Sequence, residues 1–330
     1  MATYYDIFGQ KVQYVTSDPS DVVEGQVWYN STSNTGKVQA YNAAVAWSTG
    51  GTMNTARGGF YGGAGAGVND GLIGGSNPTA VEQYNGTSWT TKTSPSDSTT
   101  QRTWWGDSSS AAGQVMGYPY SNTEEWDGSS WTGGGSFPTN IYTGHAVGSL
   151  TDAIYWGGFD SSPSISTFAA VYNGTTWTNS PATPTATAYS GGGLGTGAAA
   201  LGYGGYTGGP TTQIVTAYEW NDVSWSNTNN CNTRVQYGDG FGIQTAGVKV
   251  GGGQPPGNPN APNSTELYDG TSFTISPGQL NNARGGGAAS GLTNANAFYA
   301  GGGAAPLQDT TEEWAGIGEA TKTIKTSCPI

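Results

Sequence analysis

Apolar and aromatic positions along this chain fall in short runs broken by glycine, and no stretch sustains the 3.6-residue period of an amphipathic helix. One unit recurs: an aromatic, Asn or Asp, Gly, two small hydroxyl residues, then a second aromatic. It reads Tyr84-Asn85-Gly86-Thr87-Ser88-Trp89, Trp126-Asp127-Gly128-Ser129-Ser130-Trp131, Tyr172-Asn173-Gly174-Thr175-Thr176-Trp177 and Tyr268-Asp269-Gly270-Thr271-Ser272-Phe273. Trp220-Asn221-Asp222-Val223-Ser224-Trp225 is a degraded copy, Trp314-Ala315-Gly316 a truncated one, and Tyr41-Asn42 through Trp47 an upstream one without the glycine. Successive copies start 42 to 48 residues apart, the length of a unit of four short strands.

Asn-Gly and Asp-Gly between apolar residues favour tight hairpin turns, because both central positions accept positive φ. The flanking aromatics then face each other on adjacent antiparallel strands, c and d. Between the hairpins lie apolar runs ending in glycine, such as Leu72-Ile73-Gly74-Gly75, Val115-Met116-Gly117 and Tyr155-Trp156-Gly157-Gly158. These read as buried b strands whose glycines permit close backbone approach. Before each comes a strand a rich in small residues, such as Gly58-Gly59-Phe60-Tyr61 or the stretch from Gly191. Six a/b pairs and seven c/d copies follow. The chain is expected to be all-β.

The diglycine after an apolar strand, followed by an acidic residue, an aromatic and then a Trp, resembles the kelch repeat over about residues 41–330. The resemblance implies a galactose-oxidase-like β-propeller. Arg57, Arg102, Arg234 and Arg284 occupy the place where many family members carry an Arg, and the third and fourth modules lack it. Six a/b pairs imply a six-bladed kelch-like β-propeller, with seven blades as the alternative. Strands around Tyr41–Trp47 are expected to close the ring by joining the two chain ends, which leaves few open edges.

Residues 1–40 differ from the rest and form an N-terminal arm. Glu24-Gly25-Gln26-Val27-Trp28-Tyr29-Asn30 reads as a strand, Ser31 to Gly36 as a polar loop, and Lys37–Tyr41 as the returning strand. This hairpin resembles a segment of structural proteins of tailed bacteriophages, especially fibre and appendage proteins. The resemblance implies attachment to other virion proteins; a cap on the propeller edge is compatible with it.

Composition narrows the partners. Ten Lys+Arg against 22 Asp+Glu give a net charge of −12, so a nucleic-acid partner is not expected. Fifty-six glycines would fit disorder, but 12 Trp, 19 Tyr and 8 Phe supply rings for a core. No apolar run is long enough to cross a membrane as a helix, and no secretory signal is expected at the N-terminus. Cys231 and Cys328 lack zinc spacing and are expected to be free thiols in a reducing cytosol.

The search for chemistry yields little. A copper site of the family namesake's kind needs more imidazole than the single His145, which is expected on an inner strand. Glu82, Glu124, Glu125, Glu219, Glu266, Glu312 and Glu313 precede the hairpin aromatics at one repeat position, which points to structure, since an active site needs one constellation. Asp107, Asp160 and Asp239 are less repetitive and could cluster. No catalytic residue, metal ligand or cofactor is expected.

Loop length points elsewhere. In up-and-down sheets the d–a and b–c connections emerge at one end, and these are the long ones: Thr91 to Gln101, Thr132 to Tyr142, Asn179 to Tyr189, Phe159 to Thr167, Tyr206 to Thr212 and Gln254 to Asn263. Binding tends to sit on loops held by a rigid scaffold. Tyr142, Phe159 and Tyr206 are therefore the candidate contacts. The expected protein is a non-enzymatic, homo-oligomeric virion component assembled in the host cytoplasm. It would serve as tail fibre, appendage or capsid decoration, and bind a host surface or glycan. The rivals are a polysaccharide lyase or depolymerase, and a secreted lectin-like bacterial adhesin.

Overall fold

The computed structural model describes residues 12–19, 26–42, 45–59, 62–74, 80–96, 101–115, 117, 121–189, 191–208, 213–253, 263–303, 306–316 and 318–324. Among these residues there is no helix, and the chain divides into two compact units.

One unit combines Met1–Val45 with Gly316–Ile330. Its sheet pairs Gln13–Val15 in parallel with Val27–Asn30, then Val27–Asn30 antiparallel with Thr35–Asn42, and that strand antiparallel with Gly318–Ile324. The arm drawn at residues 1–40 is thus joined by a strand from the C-terminal end, which the repeat span of 41–330 had included. Asp18 fixes the hairpin: its carboxylate accepts the Trp28 indole N–H at 3.0 Å and the Asn30 amide at 2.8 Å, and pairs with Lys37.

The other unit, Ala46–Ala315, is a set of four-stranded antiparallel sheets, a propeller-like all-β architecture. The first sheet orders its strands Ala64–Gly67, Asp70–Gly74, Val81–Tyr84 and Trp89–Lys92, as a, b, c and d. The second runs Thr103–Ser108, Ala111–Val115, Thr123–Trp126, Trp131–Gly133, and the third His145–Ser149, Asp152–Trp156, Ala169–Tyr172, Trp177–Asn179. The fourth is Gly193–Gly195, Ala200–Tyr203, Ala217–Trp220, Trp225–Thr228, and the fifth Gln236–Ile243, Ala246–Gly253, Thr265–Tyr268, Phe273–Ile275. In the sixth, Ala288–Thr293, Asn296–Ala300 and Thr311–Ala315 take their fourth strand, Ala46–Thr49, from the other end of the array. There Trp314 pairs with Trp47, as Tyr84 pairs with Trp89 and Tyr172 with Trp177. Only the Trp47 end of the upstream copy faces the truncated one; its Tyr41-Asn42 end lies in the strand Thr35–Asn42 of the other unit, opposite Glu319 and Gly318.

The hairpin turns hold one left-handed residue, where two were expected. Four residues separate the paired aromatics, and only the glycine is left-handed, with φ of 87° at Gly86 and 84° at Gly174. The Asn85 side chain stabilises the loop by accepting the Thr87 and Ser88 amides at 3.0 and 2.9 Å. Asp127, Asn173, Asn221 and Asp269 do the same in their turns. In the degraded copy Asp222 takes the glycine position at φ 69°.

The inner strands are less uniformly small than expected. The second sheet's strand a carries Trp104 and Trp105, while the first sheet's strand a is Ala64–Gly67 and not Gly58–Tyr61. Glycines on strand b make room for these rings: a Cβ at Gly74 would lie 1.8 Å from the Trp104 ring.

Apolar packing lies between neighbouring sheets. Leu72 and Val81 meet Trp104 and Trp126 between the first and second, and Trp105 and Val115 meet Tyr155 and Tyr172 between the second and third. Ile154 and Trp156 meet Tyr218 and Trp220, Leu194 and Tyr203 meet Tyr268 and Phe273, and Phe298 and Ala300 meet Tyr84 and Trp89. Strand a of each sheet lies against strand a of the next, and those of the sixth and first also meet.

The recurrent glutamates are structural, in two layers. Glu82, Glu124, Glu266 and Glu312 are buried and accept backbone N–H groups of Asn54, Ser96, Asn232 and Asn281. Arg57 pairs with Glu82 and Arg284 with Glu312; Arg102 reaches Gln114, which donates to Glu124 at 2.7 Å. Arg234 departs from the family place: it is exposed, and Lys249 from strand b pairs with Glu266 at 2.8 Å. In the third and fourth sheets, which lack the Arg, the Glu position holds Ala170 and Tyr218.

The second layer alternates. The last aromatic of strand c is Tyr84, Tyr172 and Tyr268 in the first, third and fifth sheets, and Trp126, Trp220 and Trp314 in the others. Each of these tyrosines donates its hydroxyl to a glutamate of the preceding sheet: Tyr172 to Glu125, Tyr268 to Glu219 and Tyr84 to Glu313.

Candidate functional site

Among the described residues, backbone pairing holds the aromatic residues of the long connections in place. Ile141–Tyr142, just before strand a of the third sheet, pairs with Phe159–Asp160 just after strand b, so Tyr142 lies opposite Phe159. Tyr206 bridges to Ala188 and to Gln213. The three residues chosen from loop length therefore share one surface. Tyr142 and Phe159 have ring centroids 5.6 Å apart, and Phe159 and Tyr206 6.4 Å.

Two rings missed in the sequence complete the group. Tyr189 lies 5.1 Å from Phe159 and 5.9 Å from Tyr206, and Tyr237 lies 4.8 Å from Tyr189. Their signal was positional: Tyr189 ends a d–a loop just before an inner strand, as Tyr142 does. All five side chains are half-buried. Contacts run Tyr142, Phe159, Tyr189, Tyr237, with Tyr206 against the middle pair, from the loops of the third and fourth sheets to the start of strand a in the fifth.

The backbone beneath this row is strained. Thr143, Tyr189 and Tyr237 have φ of 60°, 45° and 56°, values that bulky L-residues adopt only when the surroundings impose them. Burial, then neighbouring Tyr189, pushes the Tyr237 phenol above its usual range, so it stays a neutral hydrogen-bonding group. At the rim Asp160 accepts the amides of Ser162 and Ser164, both at 2.9 Å, which holds its carboxyl below the ordinary carboxylate value. The loop 254–262, also among the expected binding loops, lies outside the described residues, as does Cys328. Cys231 is a buried free thiol that donates to the Val215 carbonyl at 3.3 Å, and burial lifts it to about 12.

A concavity lies elsewhere, between the inner strands. A cavity of about 350 Å³ is lined by strand a residues of the six sheets of the Ala46–Ala315 unit, among them Gly65, Trp105, His145, Gly193, Asp239 and Ser290. His145 and Asp239 are both buried, with Nε2 3.6 Å from Oδ1. Asp239 accepts the amides of Ala289 at 2.7 Å and Gly240 at 2.8 Å, yet burial dominates and lifts its carboxyl to about 7. Burial lowers His145 to about 4. Of the less repetitive carboxylates, Asp107 lines this cavity with Asp239, whereas Asp160 belongs to the aromatic rim. Among the described residues no group of three or more His, Cys, Asp or Glu is placed to hold a metal ion.

No family model matches the chain, and no curated protein matches it. A solved structure described as the structure of YjhT is similar to 84% of this chain and 97% of its own, with a TM-score of 0.62 and 14% identity. At that identity the likeness is one of fold alone, and the fold is the all-β, propeller-like array of four-stranded sheets.

Proposed function

We propose that this chain is a non-enzymatic structural protein of a tailed-bacteriophage virion, a tail fibre, appendage or capsid decoration. Its repeat unit would be a six-bladed kelch-like propeller that meets a host surface through its long-loop end. The blade count rests on three observations: the succession of inner-strand neighbours, the Trp47–Trp314 pair and the Tyr–Glu alternation. A repeat of two sheets returns to its start only after an even number of blades, which favours six over seven. The virion assignment rests on the resemblance of the N-terminal hairpin to phage appendage segments. The observation that carries the binding role is the group of five half-buried rings, two of them on left-handed backbone, since aromatics presented by a rigid scaffold are the usual anchors of recognition surfaces. Mass spectrometry of purified particles tests the assignment: the protein is expected among the virion components, and its absence would overturn the reading.

The depolymerase reading keeps one supporting observation, the His145–Asp239 pair in the cavity between the inner strands, because perturbed titratable groups in a concavity mark candidate active sites. Release of oligosaccharides from host capsule, abolished by Asp239→Asn, would establish it in place of the non-enzymatic role.

A further inference from the structure

We propose that the row Tyr142–Phe159–Tyr189–Tyr237, flanked by Tyr206, binds an internal run of consecutive uncharged sugar units in a neutral polysaccharide chain. This rests on the reading that the long-loop end is the contacting face. It adds the chemical class of the ligand and the way it is held.

The geometry favours a run of units over a single terminal sugar. Adjacent centroids stand 4.8 to 6.4 Å apart, with ring planes turned 32° to 72° from one another, along a contact path from the loops of the third and fourth sheets to the first strand of the fifth, a spacing of the same order as the repeat of a pyranose chain. The rings are half-buried, so edges and faces remain for the C–H faces of sugars, while their packing removes the rotamer freedom that binding would otherwise have to remove. The left-handed backbone at Tyr189 and Tyr237 supplies the second sign. A glycine there would be free of strain, so the tyrosine rings are retained against a local cost.

Charge selects against acidic chains. Asp160 follows Phe159 directly, and the hydrogen bonds it accepts keep it ionised. Arg234 is exposed in the loop leading to Tyr237 and contributes one positive charge, set against Asp160 and a chain net charge of −12. A polyuronate or polysialate approaching this face meets like charge.

The test uses the full chain and calorimetric titration with neutral gluco- and manno-oligosaccharides of one to six units, alongside alginate oligomers and oligosialic acid. At least one neutral series is expected to bind, with affinity rising about three- to tenfold per unit over the first three or four units. Phe159→Ala and Tyr189→Gly, which keep the loop backbone in reach of its present form, are expected to flatten that rise while thermal melting stays close to the parent. Equal binding of the monosaccharide, preference for the acidic oligomers, or no binding by any neutral series would overturn the inference. If host adsorption is still lost in the Phe159→Ala variant after such a result, the contacting face stands and only the ligand class falls. If adsorption is unaffected, the face itself is wrong.

Discussion

The Tyr84 hydroxyl of the first sheet donates to the Glu313 carboxylate of the sixth, the same link that joins Tyr172 to Glu125 and Tyr268 to Glu219. Residues from opposite ends of the repeat array thus meet as neighbouring repeats do. A hydrogen bond to a charged acceptor contributes about 1.5–3 kcal/mol, less at a half-exposed site. Tyr84→Phe, Tyr172→Phe and Tyr268→Phe are each expected to lower the urea midpoint by an equivalent of about 1–2 kcal/mol. A silent Tyr84→Phe beside two costly partners would show that the sixth and first sheets do not meet as the other pairs do.

The same junction is testable covalently. Ala46 and Ala315 are paired residues of the sixth sheet, and both side chains are exposed. Ala46→Cys with Ala315→Cys is expected to form an intramolecular disulfide on mild oxidation, seen as faster migration on a non-reducing gel. It should raise the unfolding free energy by about 2–4 kcal/mol, because it closes a very long loop in the unfolded chain. Thiols that stay free, or bond only between molecules, would contradict the pairing of Trp47 with Trp314.

Arg57 and Glu82 form a pair in which neither side chain reaches solvent. Removing one partner strands a buried charge, so Arg57→Leu alone should cost about 3–5 kcal/mol. Arg57→Leu with Glu82→Leu should cost clearly less than the sum of the two single changes, with a coupling of about 1–3 kcal/mol in chemical denaturation. Additive losses would mean that the two side chains do not share one interaction.

Opposed titrations at the inner cavity give a pH signature. Asp239 is raised to about 7, so its contribution to stability is full below about pH 4 and is lost as pH rises through about 7. His145 is lowered to about 4, so its contribution is full above about pH 6.5 and is lost as pH falls through about 4. The two offset each other across this range. Relative to the parent, Asp239→Asn should therefore gain melting temperature as pH rises from 4 to 7, and His145→Gln should lose it from 4 to 6.5. Variants whose profiles run parallel to the parent would refute the opposed shifts.

How legible these features were depends on whether the partner lies within one repeat. The Tyr84–Trp89 pair and its counterparts could be read directly, because both members flank one turn. The turn form was misjudged, because the Asn85 side chain, and not a second left-handed residue, closes the loop. The Glu82 clamp was visible as a recurrence, but Lys249 could not be foreseen under Glu266, since it enters from strand b in place of the exposed Arg234. Tyr142, Phe159 and Tyr206 were reached through loop length. Tyr189 and Tyr237 were not, because their contacts join different sheets, and a linear pattern carries no record of which parts of neighbouring sheets touch. The Tyr–Trp alternation along strand c was present in the sequence throughout; its meaning came only with the glutamates opposite.

The proposed role turns on the aromatic loop end, and adsorption to host cells tests it most directly. Full-length protein carrying Tyr142→Ala, Phe159→Ala and Tyr206→Ala should keep the parent's melting profile while binding to host cells falls by about tenfold or more, given three anchors that each contribute roughly 0.5–1.5 kcal/mol. Undiminished adsorption by the folded triple variant would contradict the account.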